Sequence, residues 1–327
     1  MTSQTDVNQK PDASVIVVGG GFAGYYAARG LGRHARVTLI DTNGFQTFQP
    51  LLYQVATGLM DPGNVRYPLA DLEHVTAVRA TVTAVDLAQR RVTLAGPVVA
   101  GTADESGSVP ASAVTSLTAD YLVLCPGARV NFFGVPGAAQ FALPLYTLGN
   151  AIAIKRRLQE LVMAKEPFSV VVVGAGATGV EITGALLDSL EVLLPRAYPM
   201  FRPDLVTVQM VDRADVPLSP MSEDSQRCAA AALTQAGVRM HLGRSATAVT
   251  ADTVTLDDGT ALPAQLTIWA GGLSVHAPDI SPPPATGHSG RISVDDTLRL
   301  PGFDNVFCLG DAAANQHTPL PQLGSVA

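Results

Sequence analysis

Cysteine is scarce in this 327-residue chain. Cys125, Cys228 and Cys308 lie far apart, and no CxxC or similar close pair exists. A redox-active disulfide of the disulfide-reductase kind is therefore excluded, and Cys125 and Cys308, each at the end of an apolar strand, read as small buried hydrophobes. The six histidines are scattered without metal-ligand spacing, so no metal is expected. Charge is also low: charged residues make up 15% of the chain and the net charge is −7. That balance argues against nucleic acid, whose phosphates need a basic face. No terminal tract joins a charged start to an apolar run, so no secretory signal is expected, and the polar residues 1–12 read as a loose tail. Between Arg129 and Lys155 formal charge is missing altogether. The stretch nevertheless gathers Asn131, Gly134, Pro136, Gly137, Gln140, Pro144, Gly149 and Asn150, which no membrane-spanning helix tolerates so densely. It reads as buried loop, and no transmembrane helix is expected.

Glycine and short Val/Ile runs are what the chain has instead. Ser14-Val15-Ile16-Val17-Val18 runs into Gly19-Gly20-Gly21-Phe22-Ala23-Gly24, and Ser169-Val170-Val171-Val172-Val173 runs into Gly174-Ala175-Gly176-Ala177-Thr178-Gly179. Both copies have the strand–turn–helix context that a dinucleotide fingerprint requires. Gly19 and Gly174 serve the tight turn, Gly21 and Gly176 let the backbone approach a pyrophosphate, and Gly24 and Gly179 let helix pack on strand. Each helix N-terminus then offers free N–H groups to phosphate. The strand 36–40 ends at Asp41, 22 positions after Gly19, the spacing at which an acid reaches a ribose hydroxyl. Strand 205–211 ends at Asp212, 38 positions after Gly174, so Asp212 as a ribose contact rests on its place at a strand end. Its acidity favours NADH, while Arg213 next to it keeps NADPH open.

The periodicity predicts helices near 22–32, 148–164, 177–190 and 222–236. The second of these has Ile152, Leu158, Leu161 and Val162 as its apolar stripe and Lys155-Arg156-Arg157 on a solvated face. Strands are expected at 80–85, 91–94, 120–125, 238–242, 253–256 and 265–270. Asp257-Asp258-Gly259-Thr260 forms a turn, and 96–113 reads as an exposed loop. After the second unit, Asp304–Leu309 forms a strand followed by Gly310-Asp311, so the chain returns to the first unit. The expected fold is α/β, with two Rossmann-like dinucleotide-binding domains, the second inserted into the first. The expected boundaries are 1–147, 148–275 and a return segment 276–327.

With these residues placed, the chain resembles the two-dinucleotide flavoproteins, and within them the type II NADH:quinone oxidoreductases. The superfamily likeness rests on both fingerprints, on Pro126-Gly127-Ala128 after a strand, where relatives carry Ala-Thr-Gly, and on Gly310-Asp311. The narrower likeness rests on Phe48-Gln49-Pro50-Leu51-Leu52-Tyr53-Gln54-Val55-Ala56-Thr57-Gly58, on Glu181, and on Thr267-Ile268-Trp269-Ala270-Gly271-Gly272. It implies FAD and NADH as cofactors, with a hydride passing from NADH to the flavin and electrons then to a quinone. Gly127, Ala128, Gly310 and Asp311 would lie at the flavin, with Asp311 on its ribityl chain. Phe48–Gly58 would cross the flavin region, Glu181 would lie beside the nicotinamide, and Gly271, in the strand closing the NADH domain, would bind the cofactor. It further implies a cytoplasmic protein, with peripheral contact at the cytoplasmic face of the membrane in full-length relatives, and it leaves homodimerisation open.

The likeness breaks at the carboxyl end. Relatives read approximately Pro-Leu-Pro-Pro-Thr-Ala-Gln-Val-Ala and continue into a quinone-site helix and a membrane-binding tail, whereas this sequence reads Pro319-Leu320-Pro321-Gln322-Leu323-Gly324-Ser325-Val326-Ala327. The resemblance thus implies a chain lacking the membrane-binding part, with the NADH half-reaction better supported than the quinone half. The alternatives are a sulfide:quinone oxidoreductase-like or ferredoxin-reductase-like flavoprotein, or a non-catalytic nucleotide-binding remnant.

Overall fold

A computed structural model describes residues 13–100, 115–275, 277–315 and 317. The expected tail at 1–12, most of the expected loop at 96–113 and the divergent 319–327 lie outside the described residues. Contacts divide the chain into two compact units. The first comprises Met1–Phe48, Arg66–Arg129 and Ser274–Ala327, and the second Gln49–Val65 and Val130–Leu273.

The first unit is built on an eight-stranded sheet. Its strand order is Val306–Cys308, Tyr121–Leu124, Ser14–Val18, Arg36–Asp41, Val75–Asp86, Arg91–Ala100 and Ser116–Thr118, with Asp279–Ser281 pairing beside Val75–Asp86. The first five strands in that order run parallel and the last two antiparallel. Alternate side chains feed two cores. Ile16, Val18, Ile40, Leu122, Leu124 and Cys308 point to one face, and Val15, Val17, Val37, Leu39, Val123 and Cys125 to the other. Burial on both faces is why these strands read as continuous Val/Ile/Leu runs. Each such fully buried side chain contributes roughly 1.5–3 kcal/mol of apolar burial. The strand from Arg91 extends to Ala100, so the expected loop begins later than the sequence indicates.

The second unit holds a five-stranded parallel sheet in the order Ala142–Pro144, Leu266–Trp269, Phe168–Val173, Val206–Asp212 and Arg239–Leu242. A three-stranded antiparallel sheet follows from Ala246–Val249, Thr253–Leu256 and Ala261–Pro263. The last two of these are joined by the Asp257–Thr260 turn, where Gly259 has φ +85°. The helix Leu148–Ala164 buries Leu148, Ala151, Ile154, Leu158, Leu161 and Val162. Ile152, expected on that stripe, is 43% exposed, because the three-to-four-residue spacing runs through Ile154. Arg156 and Arg157 pair with Glu160 on the wet side, and Arg157 also donates to the Gln265 carbonyl. Two short elements replace part of the expected buried loop: the helix Ala138–Phe141 and the strand Ala142–Pro144, fixed by packing of Phe132 and Val135 on the core. Among the described residues no helix is long and apolar enough to cross a membrane.

Candidate functional site

Both glycine turns take the form that their sequence requires. Gly19 and Gly174 have φ of +100° and +111°, where a side chain is strained. A β-carbon on Gly19 would stand 2.0 Å from the Cys125 carbonyl oxygen, and one on Gly174 would stand 2.5 Å from that of Ala270. At the third glycine the spacing is tighter still: a β-carbon on Gly24 or Gly179 would lie 1.8 Å from the carbonyl oxygen of Gly19 or Gly174, respectively. The middle glycines behave oppositely. Around Gly21 and Gly176 no atom lies within 4 Å of the β-carbon position, so the backbone there is open to an approaching group.

The helices that follow, Phe22–Leu31 and Ala177–Asp188, begin at Gly21 and Gly176 with no side-chain cap. The other two long helices are capped. Thr147 and Asn150 form a capping box at Leu148–Ala164, and Ser222 Oγ accepts from Ser225 N–H at Glu223–Gln235. A helix leaves its first four N–H groups without intrahelical partners, and of these four helices the two after the glycine turns lack a side-chain cap and offer the first turn to an outside acceptor. An anionic diphosphate fits that donor set.

Each turn also has an acid at the end of its neighbouring strand. Asp41 accepts the Gly20 N–H (2.6 Å) and the Asn43 N–H (2.6 Å). Asp212 accepts the Ala175 N–H (2.5 Å) and the Ala214 N–H (2.7 Å). The structure thus brings Asp212 to the glycine turn despite its long sequence spacing, because the helical turns Ser189–Leu193, Leu194–Ala197 and Pro203–Leu205 take up the extra chain. Burial pushes the Asp41 carboxyl above its ordinary value, against the backbone hydrogen bonds that lower it.

In the first unit the remaining predicted residues converge on strand ends beside this turn. Cys125 N–H donates to the Val18 carbonyl (2.7 Å) and Leu309 N–H to that of Leu124 (3.0 Å), which sets Gly127, Ala128, Gly310 and Asp311 at the same end of the sheet as Gly19. The Phe22–Leu31 helix packs on the Gly310–Ala312 turn, and Ala23 is buried. Asp311 is raised by burial, partly offset by the Arg291 charge. Phe22 packs its ring against Phe48, with centroids 5.5 Å apart.

In the second unit a cleft of about 220 Å³ is lined by Gly174, Asp212, Arg213, Gly271 and Trp269, together with Phe133, Val135, Arg244 and Ser245. Trp269 donates its indole N–H to the Asn131 carbonyl (2.9 Å), and Phe133, 63% exposed with φ +51°, lies over Gly272. The last four lining residues named were not found from sequence. They come from segments distant in the chain, and no periodic or spacing signal marks them. Thr178 is exposed on the first turn of its helix. Glu181 lies farther along that helix, outside the cleft lining, and desolvation raises its carboxyl above the ordinary value. The segment Phe48–Gly58, which reads as a loop without the resemblance, contains the helix Leu52–Thr57. That helix packs on Leu148–Ala164 and on the helix carrying Glu181, and Ser189 Oγ donates to the Thr57 carbonyl (2.8 Å).

Neither buried thiol is disposed for chemistry. Cys125 and Cys308 face opposite sides of the sheet. Burial pushes Cys125 well up, with the neighbouring Cys308 adding to it, and burial raises Cys308 to about 12.

Known proteins resemble the chain in sequence and in fold. The type II NADH:quinone oxidoreductases Ndh and NdhA of Mycobacterium tuberculosis are 29% and 30% identical to the chain. Those alignments take in 95% and 91% of it and 69% and 65% of the relatives. The chain thus spans about two thirds of the length of these relatives. Among solved structures, NDH2 from Plasmodium falciparum in complex with NADH superposes with a TM-score of 0.80 at 18% identity, covering 93% of this chain and 65% of that one. The sulfide:quinone oxidoreductase from Aquifex aeolicus gives 0.76 at 19% identity, covering 95% and 73%. At such identities these two show the shared fold. A family match runs over residues 13–327, almost the whole of the described chain, and on it the protein belongs to the pyridine nucleotide-disulphide oxidoreductase family.

Proposed function

We propose that this chain is an FAD-dependent NADH dehydrogenase that hands its electrons to a quinone. The observation that carries the reading is the repeated device: two glycine turns, each with an uncapped helix, an open middle glycine and a strand-end aspartate. Two such sites in one chain call for two dinucleotides. The names of the relatives supply the identity of the donor and acceptor.

When bound, the flavin supplies the two-electron acceptor that links a pyridine nucleotide to a quinone. The protein's part is to bind and orient. The N–H groups after Gly21 in the first unit hold the FAD diphosphate, Asp41 accepts from a ribose hydroxyl, and Gly127, Ala128, Gly310 and Asp311 hold the remainder. In the second unit the N–H groups after Gly176 take the NADH diphosphate, Asp212 the adenosine ribose, and Gly271 the approach of the dinucleotide. Glu181 orients the nicotinamide half. The same reading puts the enzyme in the cytoplasm, drawing its quinone from the cytoplasmic face of a membrane. The sulfide-oxidising alternative is disfavoured, because both strand-end thiols are buried, protonated and on opposite faces.

The visible absorption spectrum tests the reading. A yellow preparation bleached by NADH and restored by a soluble quinone is expected. A folded, colourless protein that refuses added FAD overturns it.

A further inference from the structure

The second-unit cleft carries a bulky aromatic residue in a backbone conformation that such residues rarely adopt. Phe133 has φ +51°, in the left-handed region, and it lines the cleft with Asp212 and Gly271. Burial does not account for it. Phe132 and Val135 on either side pack on the core of this unit, whereas Phe133 is 63% exposed. Strained residues persist where their surroundings over-determine them, and they gather at ligand clamps.

The surroundings here are the three hydrogen bonds of Asn131. Its N–H donates to the Gly272 carbonyl (3.0 Å), its own carbonyl accepts the Trp269 indole N–H (2.9 Å), and its side-chain oxygen accepts the Phe133 N–H (2.8 Å). The last bond closes an Asx turn, a local device that holds the backbone of the residue two positions on. Gly272 leaves room for the ring: a β-carbon there would stand 2.8 Å from Phe133 Cζ. Backed by Gly272 and tied at its backbone, the ring is a wall set in advance of any ligand.

Such a wall suits a flat π-system, which stacks on an aromatic side chain without needing a hydrogen-bond partner. Position decides which one. Asp212, the strand-end acid, lines the same cleft, and Glu181 lies outside it. A dinucleotide whose adenosine ribose meets Asp212 brings its purine, and not its nicotinamide, to Phe133.

We propose that Phe133 is the stacking wall for the adenine of the pyridine nucleotide, with Asn131 as the positioning residue that holds it; this rests on the cleft being the pyridine-nucleotide site. The adenine takes no part in hydride transfer, so the stack contributes equally to the ground and transition states. Its loss therefore shows in KM and not in kcat.

The test compares 5′-AMP with ribose 5-phosphate, by calorimetry on the full flavin-loaded chain. Wild type should bind 5′-AMP roughly tenfold more tightly. Phe133→Gly removes the ring and relieves the positive φ, so it should melt no lower than wild type while losing most of that ratio. Phe133→Trp should keep the ratio. In turnover, Phe133→Gly should raise the KM for NADH roughly tenfold with kcat unchanged. Asn131→Ala leaves both backbone hydrogen bonds of residue 131 in place and should lose a smaller part of the ratio. Asn131→Asp should restore it, since a carboxylate accepts the same N–H and its added charge acts on both phosphates alike. A ratio that survives in Phe133→Gly, tighter 5′-AMP binding or a markedly lower melting temperature in that variant, or a fall in kcat at constant KM overturns the proposal. Wild-type protein that binds NADH but does not distinguish 5′-AMP from ribose 5-phosphate sinks this inference alone. Failure of NADH and 5′-AMP to bind at all sinks the cleft assignment with it.

Discussion

The turn at Gly19–Gly24 and the turn at Gly174–Gly179 share a backbone and differ in their surroundings. Both close a helix onto a strand through the same 1.8 Å restriction, and both hold an aspartate by two N–H groups. Around the first, Asp41 is desolvated and the Phe22 ring packs at a tilt against Phe48. Around the second, an open cleft presents two arginines and an exposed phenylalanine. The strand starts differ in the same way. Ser14 donates from N (2.8 Å) and Oγ (2.6 Å) to the Asp120 carboxylate, whereas Ser169 N–H donates to the neutral Gln265 amide oxygen (2.8 Å). One backbone device is thus set in two chemical environments, which on the proposed reading suit a cofactor that is kept and a substrate that exchanges.

The largest expected effect comes from the third glycines. Gly24→Ala and Gly179→Ala each force a methyl group against a carbonyl oxygen that cannot withdraw, and each should lose about 3 kcal/mol of stability in thermal melts. The two should part in colour: the first loses flavin absorbance, while the second retains it. Equal flavin loss in both would break the comparison. The middle glycines should act on binding alone. Gly21→Ala and Gly176→Ala point into open space, so melting of the ligand-free protein should stay within roughly 1 °C of wild type. FAD affinity in the first and NADH affinity in the second should fall by about tenfold, because the methyl group occupies the ligand's approach. Glu181→Gln should weaken flavin reduction by NADH several-fold in stopped-flow traces while leaving flavin content unaltered; parallel loss of both would remove Glu181 from the nucleotide's side.

The smallest effect is a pH dependence confined to the first unit. Hydrogen bonds from Ser14 hold the Asp120 carboxyl below its ordinary value of 3.8. Its contribution is therefore full above 3.8 and is lost as pH falls through the lower folded-state value. Asp120→Asn should melt below wild type at neutral pH, and the gap should close on acidification. Gln265→Glu would import the same dependence into the second unit and sharpen the contrast.

Much of this was legible in the sequence because the fingerprint is local: a positive φ at Gly19 and a 1.8 Å approach at Gly24 leave glycine as the one residue that fits. Asp41 and Asp212 were legible as acids closing apolar strands. The cleft wall was not. Phe133 and Arg244 come to the same cleft as Asp212 only through the tertiary fold, and nothing in their own neighbourhoods marks them. The helix Leu52–Thr57 was hidden for a related reason: six residues form no stable helix alone, and packing on two longer helices supplies what propensity does not.

The return strand has a consequence for biosynthesis. Val306–Cys308 completes the parallel ladder by pairing with Tyr121–Leu124, yet the ribosome delivers it only after every residue of the second unit has emerged. During that interval Tyr121–Leu124 presents a bare hydrogen-bonding edge in a nascent sheet, a template for mispairing with other chains. The later-encoded unit can close first, and the order of birth along the polypeptide is the reverse of the order in which the two folds are finished.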